Sequence, residues 1–436
     1  MTRGSARRGF PRTAQVPLPR WGAAALLLLF AAGIRLLAGC AGAPRGVPPP
    51  GMPPEPRGGP PAVSRPGEPP APARPSPEGG APPSAGISLP RFLRVLLVPG
   101  ARSLALEGRT VRAWSADGRL LAEGSERILL SAVGERIRWG GSKLLGDAFD
   151  AAGTPELRVA GRHAGGRVRI FARKGELFAV AAVPLETYVA AVVSREAGPR
   201  FHPEALAALA VAVRTYAAGA ALAPRDPSYD LAGTVEDQVF DGVDGVSPAY
   251  REAAERTLGM TLMYRGRVAQ AVFHSTCGGR TESALSAWGR DVPYLQALPC
   301  DDCSGSPAYR WEYRMPAAEG RRLAKELGVP PGKDLRFLIT GRTPTGRASR
   351  LRIVSGGISR ELKASEFRKA AGYAKVRSLR MEISPDASGW RFTGQGYGHG
   401  VGMCQFGADG MARRGEGFRA ILARYYPGTD VAGAVR

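Results

Sequence analysis

The most informative stretch of the chain runs Pro184-Leu-Glu-Thr-Tyr-Val-Ala-Ala-Val-Val-Ser-Arg-Glu196. Its apolar side chains recur at the three- and four-residue spacing that is typical of a helix with one buried face. Pro184 suits the first turn of this helix, and Gly198-Pro199 ends it. A second helix is predicted to begin at Pro203 and to run to about Leu222.

Short apolar and β-branched runs, separated by turn residues, lie on both sides of these helices. They predict strands over 92–98, 110–113, 128–133, 136–139, 167–171 and 177–183, and later over 261–264, 268–273, 337–339, 351–354 and 379–383. Further helical stretches are predicted at 407–414 and 418–425. Because strands and helices are segregated, the pattern predicts an α+β fold. A sheet-rich N-terminal part over 89–180 would merge with a mixed α+β region over 181–436.

One carboxylate falls on the apolar face of the first predicted helix. Glu196 lies three and four residues beyond a pair of valines, and it also sits in the last turn, where the helix dipole disfavours an anion. Desolvation and dipole would both raise its pKa, as a general acid near neutral pH requires. The alternative is a salt bridge with Arg195 or Arg214. No second carboxylate is predicted in such an apolar setting, and Glu186 is predicted to be a solvated or first-turn charge on the polar face.

The segment 394–402 carries five glycines at alternate positions, with His399 as its only polar ring. It does not fit the dinucleotide fingerprint, because His399 stands where a third glycine is needed, and it lacks the Lys-Ser/Thr of a P-loop. Two interpretations remain: a Gly-rich turn in which His399 packs, or one wall of a ligand groove.

Several segments, in the same order, resemble the stage II sporulation protein D (SpoIID)/LytB family. They are 184–189 (PLETYV) with 192–196 (VVSRE), 210–216 (AVAVRTY), 237–242 (DQVFDG), 275–282 (STCGGRTE), Trp288 with 293–295 (PYL), 398–405 (GHGVGMCQ) and 421–428 (ILARYYPG). The resemblance spans roughly residues 90–430. It implies a lytic transglycosylase that cleaves peptidoglycan strands poor in stem peptides between N-acetylmuramic acid and N-acetylglucosamine, and that forms a 1,6-anhydro end.

The resemblance also implies roles for individual residues. Glu196 would be the catalytic acid. Arg214, Tyr397, His399 and Gln405 would line a sugar groove as substrate contacts, although Arg214 could equally be the partner of Glu196.

The N-terminus has the features of an exported bacterial lipoprotein. A basic segment precedes the apolar run 21–34, which is too short to span a bilayer, and Leu37-Ala-Gly-Cys40 resembles a lipobox. Residues 1–40 are therefore predicted to be a signal peptide with lipidation at Cys40, the alternative being an ordinary signal peptide. Residues 41–88 hold 17 Pro and 9 Gly, which predicts a disordered tether. We expect a membrane anchor, on the outer membrane facing the periplasm.

The remaining cysteines leave two alternatives open. His274-x2-Cys277 and Cys300-x2-Cys303 have the spacing of a structural zinc site, and some members of the resembling family carry zinc. In an exported chain a disulfide among Cys277, Cys300 and Cys303 is the competing interpretation. Cys404 is predicted to be a packed thiol outside this set.

Other functional classes are weaker. The formal net charge of +22 favours anionic surroundings, but the charge is spread and the export signal argues against nucleic acid as a partner. A peptidase with Cys404 as nucleophile and His399 as base lacks an evident orienting residue. The main alternative is a non-catalytic wall-binding protein that activates an N-acetylmuramoyl-alanine amidase, as some relatives are described.

Overall fold

The computed structural model describes residues 88–198, 200–234 and 237–433. The predicted signal peptide, Cys40 and the tether up to residue 87 lie outside these residues. Ten strands precede the first helix: β1 (Phe92–Ala101), β2 (Ser103–Trp114), β3 (Leu120–Val133), β4 (Arg136–Trp139), β5 (Lys143–Leu144), β6 (Ala148–Thr154), β7 (Arg158–Val159), β8 (Arg162–His163), β9 (Val168–Arg173) and β10 (Glu176–Pro184). All six strands predicted in this part are confirmed, with β9 beginning one residue later than predicted.

Eight helices lie in the described part of the chain after residue 184. They are α1 (Leu185–Glu196), α2 (Pro203–Leu222), α3 (Pro248–Arg256), α4 (Ala284–Trp288), α5 (Ala317–Glu326), α6 (Ala364–Ala371), α7 (Gln405–Arg413) and α8 (Phe418–Tyr425), with a 3-10 turn at Asp301–Cys303. The later strands are β11 (Leu231–Ala232), β12 (Met260–Tyr264), β13 (Arg267–Val268), β14 (Phe273–His274), β15 (Arg310–Pro316), β16 (Arg336–Arg342), β17 (Ala348–Ser355), β18 (Ile358–Lys363), β19 (Met381–Asp386), β20 (Gly389–Gln395), β21 (Met403–Cys404) and β22 (Asp430–Gly433). The predicted mixed α+β class is confirmed.

The early strands form one mainly antiparallel sheet in the order β11-β1-β10-β9-β6-β2-β3-β4-β5. Strand β1 is buried over four consecutive residues, 95–98, which indicates that both of its faces are covered there. Strand β9 instead alternates buried and more accessible side chains, as expected where one face meets water. Strand β10 leads directly into α1, so the sheet fixes where that helix begins.

Helix α2 lies at the centre of the main hydrophobic core. Its side chains are buried without interruption from Ala205 to Thr215, because it packs against α1, α3, α7 and α8. Among the described residues it is the one helix long and apolar enough to cross a membrane, and it is mostly buried inside the protein. The same core contains the inward side chains of the first sheet.

A second hydrophobic core is formed by residues between Trp311 and Phe392. Two three-stranded sheets, β15-β20-β19 and β16-β17-β18, pack there with helices α5 and α6. One prediction in the later part of the chain is wrong: 268–273 is not a continuous strand. It contains the end of β13 and the start of β14, with a break between them.

Candidate active site and cysteine cluster

Glu196, a partly exposed residue, is the last residue of α1, and its carboxylate contacts two segments that are distant in sequence. Oε1 accepts a hydrogen bond from the backbone N–H of Val239 at 3.3 Å, and Oε2 accepts one from the side-chain amide of Gln405 at 3.4 Å. Both donors are neutral, and both bonds are long. The carboxylate is therefore positioned by dipoles rather than by a cation.

Burial raises the pKa of the Glu196 carboxyl, and the hydrogen bonds from Val239 and Gln405 oppose this rise only in part. No charged group among the described residues contributes to the raised pKa. A carboxyl in such a setting holds its proton closer to neutral pH than an exposed one, which suits a proton donor.

Arg214 does not contact Glu196 and does not line a groove. It is fully buried, and its guanidinium donates to Glu186 Oε1 at 2.9 Å and Oε2 at 2.5 Å, with further hydrogen bonds to Thr257 and to backbone carbonyls. The predicted substrate role of Arg214 and the salt bridge to Glu196 are both contradicted by these contacts. Glu186 lies in the first turn of α1, as predicted, and is 33% exposed, but it also serves as the ion-pair partner of this buried cation.

The segment that holds Val239 is hydrogen-bonded to helix α1. Tyr188 of α1 donates to Gln238 Oε1 at 3.0 Å, which fixes the residue next to the Val239 N–H. Burial raises the pKa of Tyr188, so its hydroxyl remains a donor. In the sequence, residues 237–242 stand out only as part of a family pattern, and no role was predicted for them.

The segment that holds Val239 also carries a buried carboxylate, Asp237, whose burial was not predicted from the sequence. Its Oδ1 accepts from the Tyr216 hydroxyl at 2.8 Å and also pairs with Arg225, while Oδ2 accepts from the Ala232 N–H at 2.9 Å. Both oxygens are thus engaged by the protein itself. This arrangement is that of a structural anion, unlike the lightly held Glu196.

Three of the predicted contact residues lie in or just after the Gly-rich segment, and one of them reaches Glu196. Gln405 is buried and donates to the carboxylate, whereas the Tyr397 and His399 side chains form no hydrogen bond with it. Tyr397 pairs through its main chain with Thr276. The glycines serve packing: a Cβ at Gly402 would lie 2.1 Å from the carbonyl oxygen of Val272, and the backbone there has φ +70°.

His399 uses one ring nitrogen in a hydrogen bond within the protein: Nδ1 accepts from the Val401 N–H at 3.0 Å. Burial lowers the pKa of His399 to about 4, so the ring is neutral at physiological pH. The ring packs against His274 and Trp288, with centroid separations of 5.5 and 5.4 Å.

Four buried cysteines converge elsewhere in this part of the fold. The sulfur atoms of Cys277, Cys300, Cys303 and Cys404 all lie within 4.8 Å of one another. Cys277 and Cys303 are 3.4 Å apart, well beyond the length of a disulfide bond, about 2.05 Å. Four sulfurs bound tetrahedrally to zinc at about 2.3 Å would be about 3.8 Å apart, so the donor set fits such an ion.

The fourth member of this cluster differs from the prediction. His274 is not part of it: its Nδ1 lies 3.0 Å from the carbonyl oxygen of Val401. Strand β14 pairs with β21 in parallel, His274 opposite Cys404, and this pairing places the Cys404 sulfur in the cluster. Cys404 is therefore not an isolated packed thiol. It is fully buried and bonds no histidine among the described residues, which argues against a Cys404–His399 peptidase.

A surface cavity of about 670 Å³ lies beside the strands of the second hydrophobic core, and Glu196 is not among its lining residues. Its lining includes Arg310, Trp311, Arg342, Arg380, Gly394 and Gln395. The predicted sugar groove beside Glu196 is not outlined by this cavity.

Comparison with known proteins gives two family matches. A family described as "Stage II sporulation protein" matches residues 173–264, which include Glu196, and a "Domain of unknown function (DUF8618)" matches residues 294–402, which include His399.

Individual proteins match over more than half of the chain. The chain is similar to an uncharacterized protein of Brachyspira hyodysenteriae, 32% identical over 248 residues, which are 57% of this chain and 66% of that protein. Stage II sporulation protein D of Bacillus amyloliquefaciens is 33% identical over 273 residues, 58% of this chain and 75% of that protein. An amidase enhancer of Bacillus subtilis is 27% identical over 285 residues, 55% of this chain and 39% of that protein. The chain thus spans slightly less than two thirds of the Brachyspira protein and about two fifths of the amidase enhancer.

Proposed function

Because the chain belongs to the stage II sporulation protein D family, we propose that it remodels the bacterial cell wall as a peptidoglycan lytic transglycosylase. The observation that carries the proposal is the carboxyl of Glu196, a partly exposed residue: its pKa is raised, and it is held only by neutral donors. Its substrate would be glycan strands poor in stem peptides. Region 181–436 would hold the strand in a groove beside Glu196.

The chemistry needs one carboxyl that both gives and accepts a proton. Protonated Glu196 donates to the glycosidic oxygen, and the bond from that oxygen to C1 of the muramoyl residue breaks. The C6 hydroxyl of the same sugar attacks C1, and its proton passes to the Glu196 carboxylate. A 1,6-anhydro ring results, the carboxyl is again protonated, and no water is consumed, unlike in the usual two-carboxylate hydrolysis.

Val239 and Gln405 support both stages. Their hydrogen bonds stabilise the carboxylate that remains after proton donation. Burial raises the pKa and so favours the protonated carboxyl with which the reaction starts. Since Gln405 is buried and already bonded to Glu196, we assign it to positioning this acid rather than to direct sugar contact.

The test is mass analysis of the products from stripped and intact strands, with Glu196→Gln compared with the wild type. Glu123→Gln, an exposed position in the first sheet, is the matched control for the amide substitution. Anhydromuramoyl ends from stripped strands, made by the wild type and the control but not by Glu196→Gln, are expected. Reducing ends would contradict the transglycosylase and indicate a hydrolase.

A non-catalytic wall-binding activator is the second candidate, favoured by the similarity to an amidase enhancer. Its partner would be an N-acetylmuramoyl-alanine amidase. Strand binding without cleavage, together with stimulation of an amidase by both wild type and Glu196→Gln, would support this function and contradict the enzyme.

We also propose that Cys277, Cys300, Cys303 and Cys404 hold a structural zinc ion. When bound, the ion would supply a cross-link between three separate segments rather than reaction chemistry. Since Cys404 precedes Gln405, the cross-link would also restrain the residue that positions the catalytic acid.

Export and anchoring remain proposals from the sequence alone. A lipid on Cys40 and the tether of 41–88 would place the folded region in the periplasm, held to the outer membrane. Incorporation of labelled palmitate by the wild type but not by Cys40→Ser is the expected result, and equal labelling would contradict it.

A further inference from the structure

Trp288 is a large aromatic side chain held at the surface. It ends the short helix α4 and is 39% exposed. The Ser283 hydroxyl accepts a hydrogen bond from the Ser286 N–H at the start of this helix, and Gly289 ends it in the left-handed conformation with φ +72°. The indole is therefore presented from a defined turn of backbone rather than from a free loop.

His399 supports the indole from within the protein. The two rings lie 5.4 Å apart at an angle of 51°, and the other neighbour of His399 is the buried His274. Because Nδ1 of His399 accepts a hydrogen bond from the Val401 N–H, this ring is held in place. What the pair offers to solvent is the aromatic surface of Trp288.

We propose that Trp288 is a stacking platform for a pyranose ring of the glycan strand, and that His399 acts as its positioning residue. A sugar ring has an apolar C–H face and a polar rim, and an indole presents a flat apolar surface with one polar N–H. This inference rests on the proposed function, because it names a further contact for the same substrate. It replaces the predicted direct sugar contact of His399 by an indirect one.

The residue that supports Trp288 is close in sequence to the residue that holds the catalytic acid. His399 and Gln405 are six residues apart, so their backbones are separated by at most about 20 Å, and Gln405 bonds Glu196. A strand of several sugars is long enough to cover such a separation.

An exposed cation next to Trp288 could pair with an anionic strand, although the exposed Asp291 beside it makes the two-residue segment neutral overall. Removal of the stem peptide leaves a free lactyl carboxylate on each muramic acid. Arg290, two residues after Trp288, is exposed and forms no ion pair with another described residue. Its guanidinium can attract these carboxylates next to the stacking surface.

The experiment measures equilibrium binding of soluble stem-peptide-free strands in the Glu196→Gln background, where no cleavage occurs. Trp288→Ala should weaken binding at least about tenfold, while Trp288→Tyr, which keeps an aromatic face, should stay within about threefold of the parent. Leu285→Ala is the matched control: Leu285 is on the same helix and 55% exposed, and we expect no change. Strand binding should also alter the tryptophan emission of the parent but not that of Trp288→Tyr. Thermal unfolding establishes that each variant is folded.

The outcomes separate this inference from the proposed reaction. Unchanged binding by folded Trp288→Ala overturns the platform. If Trp288→Ala and Leu285→Ala both keep strand binding but lose amidase stimulation, the surface is a protein-docking face and the platform is wrong. If the parent binds strands through Trp288 but the wild type cleaves none, the reaction fails and the platform stands. If the parent binds no strands, both fail.

Discussion

Replacing Glu186 by Gln removes the counter-ion of a buried guanidinium while keeping the shape of the side chain. Arg214 is fully buried, and two of its donors are bound by the Glu186 oxygens at 2.5 and 2.9 Å. Its other donors go to Thr257 and to the carbonyls of Met260 and Ala254, which are neutral. The variant therefore leaves a positive charge in the core without a compensating negative charge, and we expect it to unfold more easily.

The expected loss can be estimated from the burial of the two partners. Removing one partner of a buried ion pair costs about 3–5 kcal/mol. Glu186 is 33% exposed, so solvent screens one end of the pair and the lower value, about 3 kcal/mol, applies. With an unfolding entropy of about 2.1 cal/mol/K per residue over roughly 340 folded residues, Tm falls by about 4 °C.

Differential scanning calorimetry measures this shift. Glu123→Gln is the matched control, because it breaks a 2.6 Å ion pair with Arg112 in which both side chains are about half exposed. An exposed pair contributes up to about 1 kcal/mol, so the control should lower Tm by no more than about 1.5 °C. If Glu186→Gln keeps the wild-type Tm but loses strand binding, Arg214 contacts the substrate and the structural role argued for it is wrong.

Three further predictions concern the acid and the cysteines. Glu196 has a folded pKa above its unfolded one, so its contribution to stability is complete below the unfolded pKa and is lost as pH rises through the folded pKa. Glu196→Gln should therefore be more stable than the wild type at pH 7 and show no such advantage below about pH 4, as measured by urea unfolding; a variant less stable at pH 7 would contradict this. The gain at pH 7 should be about 1.4 kcal/mol for every tenfold difference between the folded and unfolded acid dissociation constants. Gln405→Leu removes a hydrogen bond that stabilises the carboxylate, so the alkaline limb of kcat/KM for strand cleavage should move to higher pH, and a move to lower pH would refute the assigned role. Elemental analysis should find zinc depleted in Cys404→Ser but retained in His274→Asn, and the reverse result would restore His274 as a ligand.

The local sequence pattern was sufficient to predict the elements that have a long run of apolar residues. Helix α2 begins and ends where the sequence predicts, because a proline opens it and a continuous run of apolar residues fills it. Helices α3, α4, α5 and α6 were not predicted. In α5, for example, only Gly320, Leu323 and Ala324 are buried, so the apolar face is narrow. The 268–273 run is apolar without being one strand, because apolar content alone does not specify pairing partners.

The acid was predictable from its own helix, but its partners were not. Glu196 falls on the buried face by spacing, whereas Val239 and Gln405 reach it from 43 and 209 residues away. The residues around Arg214 in the chain did not identify a partner for its charge. The packing of α1, α2 and α3 places Glu186 next to it.

The cysteine cluster shows the same limit. The short spacing of His274 and Cys277 indicated a pair of ligands. The parallel pairing of β14 with β21 instead places Cys404 among the sulfurs, and this pairing joins residues 130 positions apart. Such long-range contacts leave no periodic signal in the sequence.

The central claim is that Glu196 cleaves the glycan by an internal displacement that consumes no water. Digestion of stripped strands in water enriched in heavy oxygen, followed by mass analysis of the new ends, tests it directly. We expect anhydro ends that carry no heavy oxygen and that are absent with Glu196→Gln. Reducing ends that carry heavy oxygen would show that water attacks the sugar, and would contradict the claim.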